Sequence, residues 1–308
     1  MRIAALAAGG VGGYFGARLA AAGHDVTFIA RGAHLDAIRK DGLRVESTLG
    51  NLHVPDAKAT NAPAEVGPVD IVLFAVKLWD TEIGGEAAKP LIGPQTRLIT
   101  LQNGVDAMDR LTPILGAEHV VGGIAYIATV IGAPGVIQHT SPFAIARCGR
   151  PGGAADPQLA AFVEAGQKAG IDIALSDDID VERWKKFTFL ASLAAATAGT
   201  RHAIGPILAD PDTRTFFEAL LGETVAVARA KGAKLPPDFF EERLRFAESV
   251  HYGMKASLLH DLERGNRLEL DWLTGRVVSL GRELGVPTPA NEAVYAMLKL
   301  HRMGAGQR

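Results

Sequence analysis

Ile3-Ala4-Ala5-Leu6-Ala7-Ala8-Gly9-Gly10-Val11-Gly12-Gly13 reads as a short apolar strand, a glycine turn and the opening of a helix. A phosphate-binding turn of this kind needs glycine where backbone approaches a pyrophosphate, and again where helix packs on strand. Gly9 and Gly12 hold those two places. The helix that follows offers unpaired N–H groups and the positive end of its dipole to an anion. Ala7 stands where G-x-G-x-x-G has its first glycine, so the formal motif is incomplete. A methyl group at that position is tolerable only if the local φ is negative. The apolar run over residues 3–8 is too short for the core of a signal peptide, and Arg18 soon follows it.

Outward from this turn, residues 25–30 (DVTFIA) form a second apolar strand, and Arg31 is the residue after it. This lies about twenty residues past Gly12, where an acid would grip the ribose of NAD and an arginine suits the 2′-phosphate of NADP. The planar donor fork of a guanidinium matches phosphate geometry. A solvated loop arginine is the plain alternative. Further strands are expected over residues 70–76 (DIVLFAV), apolar on both faces as central parallel strands are, and over residues 97–101. Each leads to polar residues: Lys77 after the first, Gln102-Asn103-Gly104 after the second. Ligands of open α/β sheets bind beyond the carboxyl ends of strands, so Lys77 suits a phosphate or ribose and Asn103 a nicotinamide or substrate. A surface lysine and an Asn-Gly turn are the alternatives.

Strands alternating with helices imply βαβ units and a doubly wound sheet. Residues 43–54 read as two strands turning at Leu49-Gly50-Asn51, and residues 119–146 as antiparallel additions at the sheet's edge. A helix over residues 156–169 and a strand over 171–175 close the first domain. From residue 180 onward the periodicity is helical throughout, punctuated by Gly205-Pro206, Pro236-Pro237, Gly265 and Pro287. The fold expected is an N-terminal Rossmann domain (residues 1–177) with an all-α C-terminal domain (178–308). The short basic C-terminal tail is expected to fray.

Composition sets the outer limits. The 308 residues suffice for about two domains, and 48% hydrophobic with 21% charged residues is globular. A net charge of -2 gives no reason to expect nucleic acid or an anionic membrane as partner. A single cysteine, Cys148, leaves no disulfide framework and fits a reducing cytoplasm. No stretch approaches the ~18 apolar residues of a membrane span. The nine histidines show no metal-ligand spacing backed by context. A homodimer is compatible with all of this.

Candidate chemistry lies in the helical half. Trp184-Lys185-Lys186-Phe187-Thr188-Phe189-Leu190-Ala191-Ser192-Leu193-Ala194 is apolar on nearly every face, which marks a buried helix, yet two lysines sit in its first turns. A snorkelling side chain accounts for one of them. An inward lysine is partly desolvated, which lowers its pKa and eases proton donation to a ketone accepting hydride. Further on, Ser257 lies on one helix, and Glu269 and Asp271 open another after the break at Gly265. For Glu269, a charge that favours a helix N-terminus is an equal alternative.

These residues together carry a resemblance. Residues 3–13 with Tyr14-Phe15-Gly16-Ala17-Arg18-Leu19, Arg31, Val76-Lys77, Gln102-Asn103-Gly104, Trp184-x-Lys186 and Asp261-x-x-x-Gly265-x-x-x-Glu269-x-Asp271 are similar to the 2-dehydropantoate 2-reductase (ketopantoate reductase) family over nearly the whole chain. The resemblance implies NADP bound by Ala7, Ala8, Gly9, Gly10, Val11, Gly12, Arg31, Lys77, Asn103, Ala128 and Glu269. It implies Lys186, not Lys185, as proton donor, and Asn103, Lys186 and Ser257 at the substrate. The implied reaction is NADPH-dependent reduction of 2-dehydropantoate to pantoate, a step of pantothenate biosynthesis.

Some positions depart from the family. Members commonly carry asparagine four and eight residues after that lysine; here Leu190 and Ala194 stand there. Leu268 replaces the threonine that usually precedes the acid, and Thr274-Gly275 replaces an Asn-Gly. Two other readings therefore stay open: a reductase of a more apolar 2-oxo acid or imine, and a non-catalytic NADPH-sensing protein.

Overall fold

The computed structural model describes residues 1–305, so the end of the C-terminal tail lies outside the described residues. Contacts divide the chain into two compact units, Met1–Glu182 and Arg183–Arg308.

In chain order the first unit runs β1 (Arg2–Leu6), α1 (Gly10–Ala21), β2 (Asp25–Ile29), α2 (Gly32–Asp41), β3 (Leu43–Ser47), β4 (Leu52–Val54), β5 (Lys58–Thr60) and β6 (Ile71–Phe74). Then come α3 (Thr81–Ala88), β7 (Arg97–Thr100), α4 (Ala107–Leu115), β8 (Val120–Tyr126), β9 (Thr129–Ala133), β10 (Val136–His139), β11 (Ile145–Gly149), α5 (Pro157–Lys168) and β12 (Asp172–Leu175). The main sheet has the order β12-β11-β8-β7-β6-β1-β2-β5. From β5 to β8 every pairing is parallel; β1, for instance, sets Leu6 beside Ile29 of β2 and Phe74 of β6.

Alternation along the central strands feeds two cores. Ile3 and Ala5 of β1 and Leu73 of β6 join the core on one face, with Phe15 and Leu19 of α1. Ala4, Leu6, Val72 and Phe74 join the core on the other face, with Leu111 and Leu115 of α4. Strands covered on both sides read as continuous apolar runs for this reason. The chain leaves β1 toward β2 on one side and later places β6 on the other. Strand order therefore reverses at β1, and the carboxyl end of the strand at such a reversal is where open α/β sheets take ligands.

Residues 119–146 do not simply add to the sheet's edge. β8 continues the parallel run, β11 pairs with β8 antiparallel, and β12 lies parallel beyond it. β9 and β10 leave the main sheet and build a second one with the hairpin of β3 and β4, in the order β4-β3-β10-β9. Leu43, Val45 and Ile137 of this small sheet belong to the same core as α1. With a sheet on each side, α1 is buried at Gly12, Gly13, Tyr14, Phe15, Gly16, Ala17 and Leu19. Small residues let both layers approach it.

α5 is fixed to the sheet by a buried ion pair. Asp156 caps it, accepting from the N–H groups of Gln158 and Leu159 at 3.0 and 3.3 Å, and accepts from Arg97 Nε at 2.6 Å. Burial alone would raise the Asp156 carboxyl; the Arg97 hydrogen bond and the helix amides outweigh it and hold the pKa below its ordinary value. Removing one partner of such a pair strands the other, so Asp156→Asn is expected to cost about 3 kcal/mol in chemical denaturation. The native stabilisation is complete above the ordinary aspartate pKa of ~3.9 and is lost as pH falls through the lowered folded value. The variant's acid limb should be correspondingly flatter.

The second unit is helical. It holds most of α6 (Ile179–Thr200), followed by α7 (Ile204–Ala209), α8 (Pro211–Ala230), α9 (Phe239–Ser249), α10 (Ser257–Glu263), α11 (Thr274–Leu284) and α12 (Pro289–Leu298). The change of composition near residue 177 falls in the loop before α6. Ala191, Leu193, Ala194, Ala195, Ala196 and Ala198 of α6 are buried. Its buried hydroxyls are satisfied within the helix: Ser192 donates to Thr188 O and Thr197 to Leu193 O, at 2.8 and 2.7 Å. Glu223 of α8 caps α12, accepting from the N–H groups of Ala290 and Asn291 at 2.8 and 2.9 Å. Among the described residues, no helix is long and apolar enough to cross a membrane.

Candidate active site

The glycine turn joins β1 to α1 at the point where strand order reverses. Ala7 takes φ 69°, the left-handed conformation usual for glycine. The expectation of a negative φ is therefore wrong: the turn keeps its shape and Ala7 carries the strain. For a residue with a Cβ that strain amounts to about 1–2 kcal/mol. Ala7→Gly is expected to raise stability by about 1 kcal/mol, read as a higher urea midpoint at unchanged slope.

Close approach accounts for two of the glycines. A Cβ on Gly12 would lie 2.5 Å from Ala7 O, and one on Gly10 would lie 2.6 Å from Thr129 O. The second contact shows why the small sheet matters here, because the start of β9 covers the first residue of α1. Gly9 differs. A Cβ there meets no protein atom within 4 Å, so the turn is open on that side and admits an anion against its backbone. The first-turn N–H groups of α1, which have no intrahelical acceptors, lie beside it. These features fit a dinucleotide pyrophosphate.

The other candidates of this unit follow parallel strands at their carboxyl ends: Arg31 after β2, Lys77 after β6, Asn103 after β7 and Ala128 after β8. The Arg31 side chain is 91% exposed, with Asp80 3.8 Å from its guanidinium. It is placed to meet a phosphate at modest cost, since an exposed pair of this kind contributes little. Lys77 is exposed, with its ammonium 5.6 Å from the centre of the Trp79 ring. Asn103 is half-buried. Ala128 already uses its backbone within the protein: its N–H donates to Ser141 Oγ at 2.9 Å and its carbonyl accepts from Thr140 N–H at 3.0 Å. A second carbonyl lone pair is what it has to offer a ligand.

Gln102, adjacent to a named candidate, proves to brace two of them. Its amide donates to Val76 O and to Thr81 Oγ1, at 3.0 and 2.9 Å, and its carbonyl accepts from Thr100 Oγ1 at 3.1 Å. It thereby locks the loop carrying Lys77 to the end of β7, just before Asn103. A glutamine directly after the apolar run of residues 98–101 was the available signal.

In the second unit the structure brings Lys186 and Glu269 together. Lys186 is half-buried on α6, between Trp184 and Phe187, whose rings meet edge to face at 5.6 Å. Burial of its ammonium lowers the Lys186 pKa to about 8, while the charge of Glu269 pulls in the opposite direction. Glu269 is only 7% exposed. It does not open a helix: it precedes a single 3-10 turn (Leu270–Trp272), and α11 begins at Thr274. A helix-terminal charge is therefore not its explanation.

The segment around Glu269 is tied to the chain's C-terminal part. Leu268 N–H donates to Arg302 O at 2.8 Å. Asp271 accepts from Tyr295 OH at 2.6 Å and from Lys299 Nζ at 2.8 Å, and Lys299 also contacts Tyr295 OH. Asp271 thus anchors the strap that carries Glu269. Ser257 is exposed at the first position of α10. Leu190 is half-buried and Ala194 wholly buried, and neither side chain can form a hydrogen bond.

Among the described residues, no group of three His, Cys, Asp or Glu is placed to hold a metal ion. Cys148 is buried, which pushes its thiol up to about 12 and keeps it unreactive.

Two family models match this chain: ketopantoate reductase PanE/ApbA over residues 3–147, and the C-terminal domain of the same family over residues 178–302. The chain belongs to the ketopantoate reductase family. Its relatives include the uncharacterized oxidoreductase YkpB of Bacillus subtilis, 32% identical over 98% of this chain and 99% of that protein. The 2-dehydropantoate 2-reductase of Mesorhizobium japonicum is 32% identical over 97% of each. Among solved structures, the PanE/ApbA family ketopantoate reductase of Ralstonia eutropha superposes with a TM-score of 0.89 at 33% identity, covering 98% of both chains.

Proposed function

We propose that this protein reduces a small 2-oxo acid with NADPH, and that 2-dehydropantoate, giving pantoate for pantothenate biosynthesis, is the substrate. The observation that carries the chemistry is Lys186, half-buried with its ammonium desolvated, its pKa lowered to about 8 beside Glu269. Relatives named 2-dehydropantoate 2-reductase at 26–32% identity support the substrate class. Arg31 at the end of β2 supports NADPH over NADH. A cytoplasmic setting suits the single buried cysteine.

When bound, the cofactor supplies hydride to the carbonyl carbon of the substrate. Negative charge then gathers on the carbonyl oxygen, and Lys186 Nζ delivers a proton there. Its pKa near 8 leaves it charged at neutral pH yet readier to release the proton than an ordinary lysine. Glu269 keeps the ammonium charged before transfer, and the neutral amine regains its proton from solvent. Gly9, Gly10 and Gly12 accept the pyrophosphate against the turn, Arg31 holds the 2′-phosphate, and Lys77, Asn103 and Ala128 orient what lies between. Ser257 and Asn103 contact the substrate.

Leu190 and Ala194 favour a second reading, a more apolar 2-oxo acid or imine. Each hydrogen bond they cannot make to a charged substrate weakens its hold by about 1.5–3 kcal/mol. A panel of oxo acids followed by NADPH absorbance separates the two. The proposal expects 2-dehydropantoate to give the highest kcat/KM. A branched apolar 2-oxo acid exceeding it about tenfold would give the substrate to the second reading.

A further inference from the structure

His34, the third residue of α2, bridges two backbone groups from distant parts of the first unit. Gly135 N–H, in the turn between β9 and β10, approaches its Nδ1 at 3.0 Å. Nδ1 must therefore be the acceptor, which places the ring hydrogen on Nε2. Nε2 then donates to the Ala8 carbonyl at 2.8 Å. Burial lowers the His34 pKa and favours this neutral ring. Ala8 N–H is itself bonded to Ile29 O at 2.9 Å.

The Ala8–Gly9 peptide lies in the turn, and it is trans. In a planar trans peptide the C=O and N–H point in opposite directions. Holding Ala8 O on the imidazole consequently turns Gly9 N–H to the far side, away from His34. The Gly135 bond holds the same ring at its other nitrogen. The β9–β10 hairpin that Gly135 closes also carries Thr129, whose carbonyl covers Gly10.

We propose that His34 is a positioning residue for the dinucleotide. It clamps the Ala8 carbonyl so that Gly9 N–H faces the pyrophosphate, and it ties the β9–β10 hairpin to the same turn. The proposal rests on the proposed function only in taking the turn as the cofactor's phosphate site. Glutamine replaces the rigid ring imperfectly: its amide swings on an additional side-chain rotor, and ordering it between Ala8 and Gly135 costs entropy that the imidazole avoids.

The test is titration of wild type, His34→Ala and His34→Gln with NADPH, followed by fluorescence, with circular dichroism of each protein. Both variants are expected to bind NADPH about tenfold more weakly, the loss of one buried hydrogen bond of ordinary worth. In steady state the KM for NADPH should rise while the KM for the oxo acid and kcat at saturation hold. A folded His34→Ala that binds NADPH as tightly as wild type overturns the proposal and leaves the cofactor assignment standing. Wild type that takes up no NADPH overturns both. Should the variants fail to fold, the imidazole nitrogen spectrum of wild type decides. An Nε2–H ring that persists, with Gly135 N–H shifting as NADPH is added, supports the clamp; an Nδ1–H ring overturns it.

Discussion

Lys186→Ala is expected to lower kcat at least ~100-fold, the usual contribution of a positioned general acid, while NADPH affinity stays within about twofold. The expectation follows from which form of the lysine is active. Only the ammonium donates, so the reduction rate should be level on the acid side of the lysine's titration and fall above pH about 8. The fall should approach about tenfold per pH unit. Lys186→Arg provides the control. A guanidinium keeps the charge but does not release its proton, so turnover should drop and the break near pH 8 should vanish. Single-turnover reduction across pH 6–10 measures all three proteins (~6 to ~10 spans the break). Turnover of Lys186→Ala close to wild type would remove the lysine from the chemistry.

Gly12→Ala is expected to have the second large effect. Its Cβ would stand 2.5 Å from the Ala7 carbonyl, a backbone atom that no rotamer change can move away. The strand and helix must then part, or the turn must open. Either displaces the amides that face the pyrophosphate. We expect NADPH to bind at least ~100-fold more weakly, about 2.7 kcal/mol, with the oxo-acid KM little changed at saturating cofactor. Equilibrium titration of the folded variant measures it, and affinity within about threefold of wild type would contradict the packing argument.

What the sequence made legible was local. Residues 3–13, 25–30 and 70–76 each carry their signal within a few positions, so β1, α1, β2 and β6 fall where apolar runs and glycines place them. The alanine and leucine content of α6 likewise marks a buried helix, and two lysines in such a setting mark the segment where Lys186 stands beside Glu269. The second sheet was hidden because its central pair joins β3 to β10, Val136 lying beside Arg44, with most of the sheet's partners far apart in the chain. Nothing in strand propensity says with which distant segment a strand will pair. Ala7 misled for a different reason: tertiary packing imposed a left-handed φ that its own side chain disfavours. Asp156 and Asp271 could not be interpreted alone, since Arg97 and Lys299, which explain them, arrive from other elements. His34 looked like any residue of a short amphipathic helix until both of its nitrogens were seen to be engaged.

The central claim is that a nicotinamide dinucleotide lies with its pyrophosphate on the turn at Gly9 and Gly12 and its 2′-phosphate at Arg31. Isothermal titration of the full chain with NADPH and, separately, NADH tests it most directly. One site per chain at micromolar or tighter NADPH, with NADH weaker by about tenfold or more, is the result expected. Heat of binding from neither dinucleotide would contradict the account at its root.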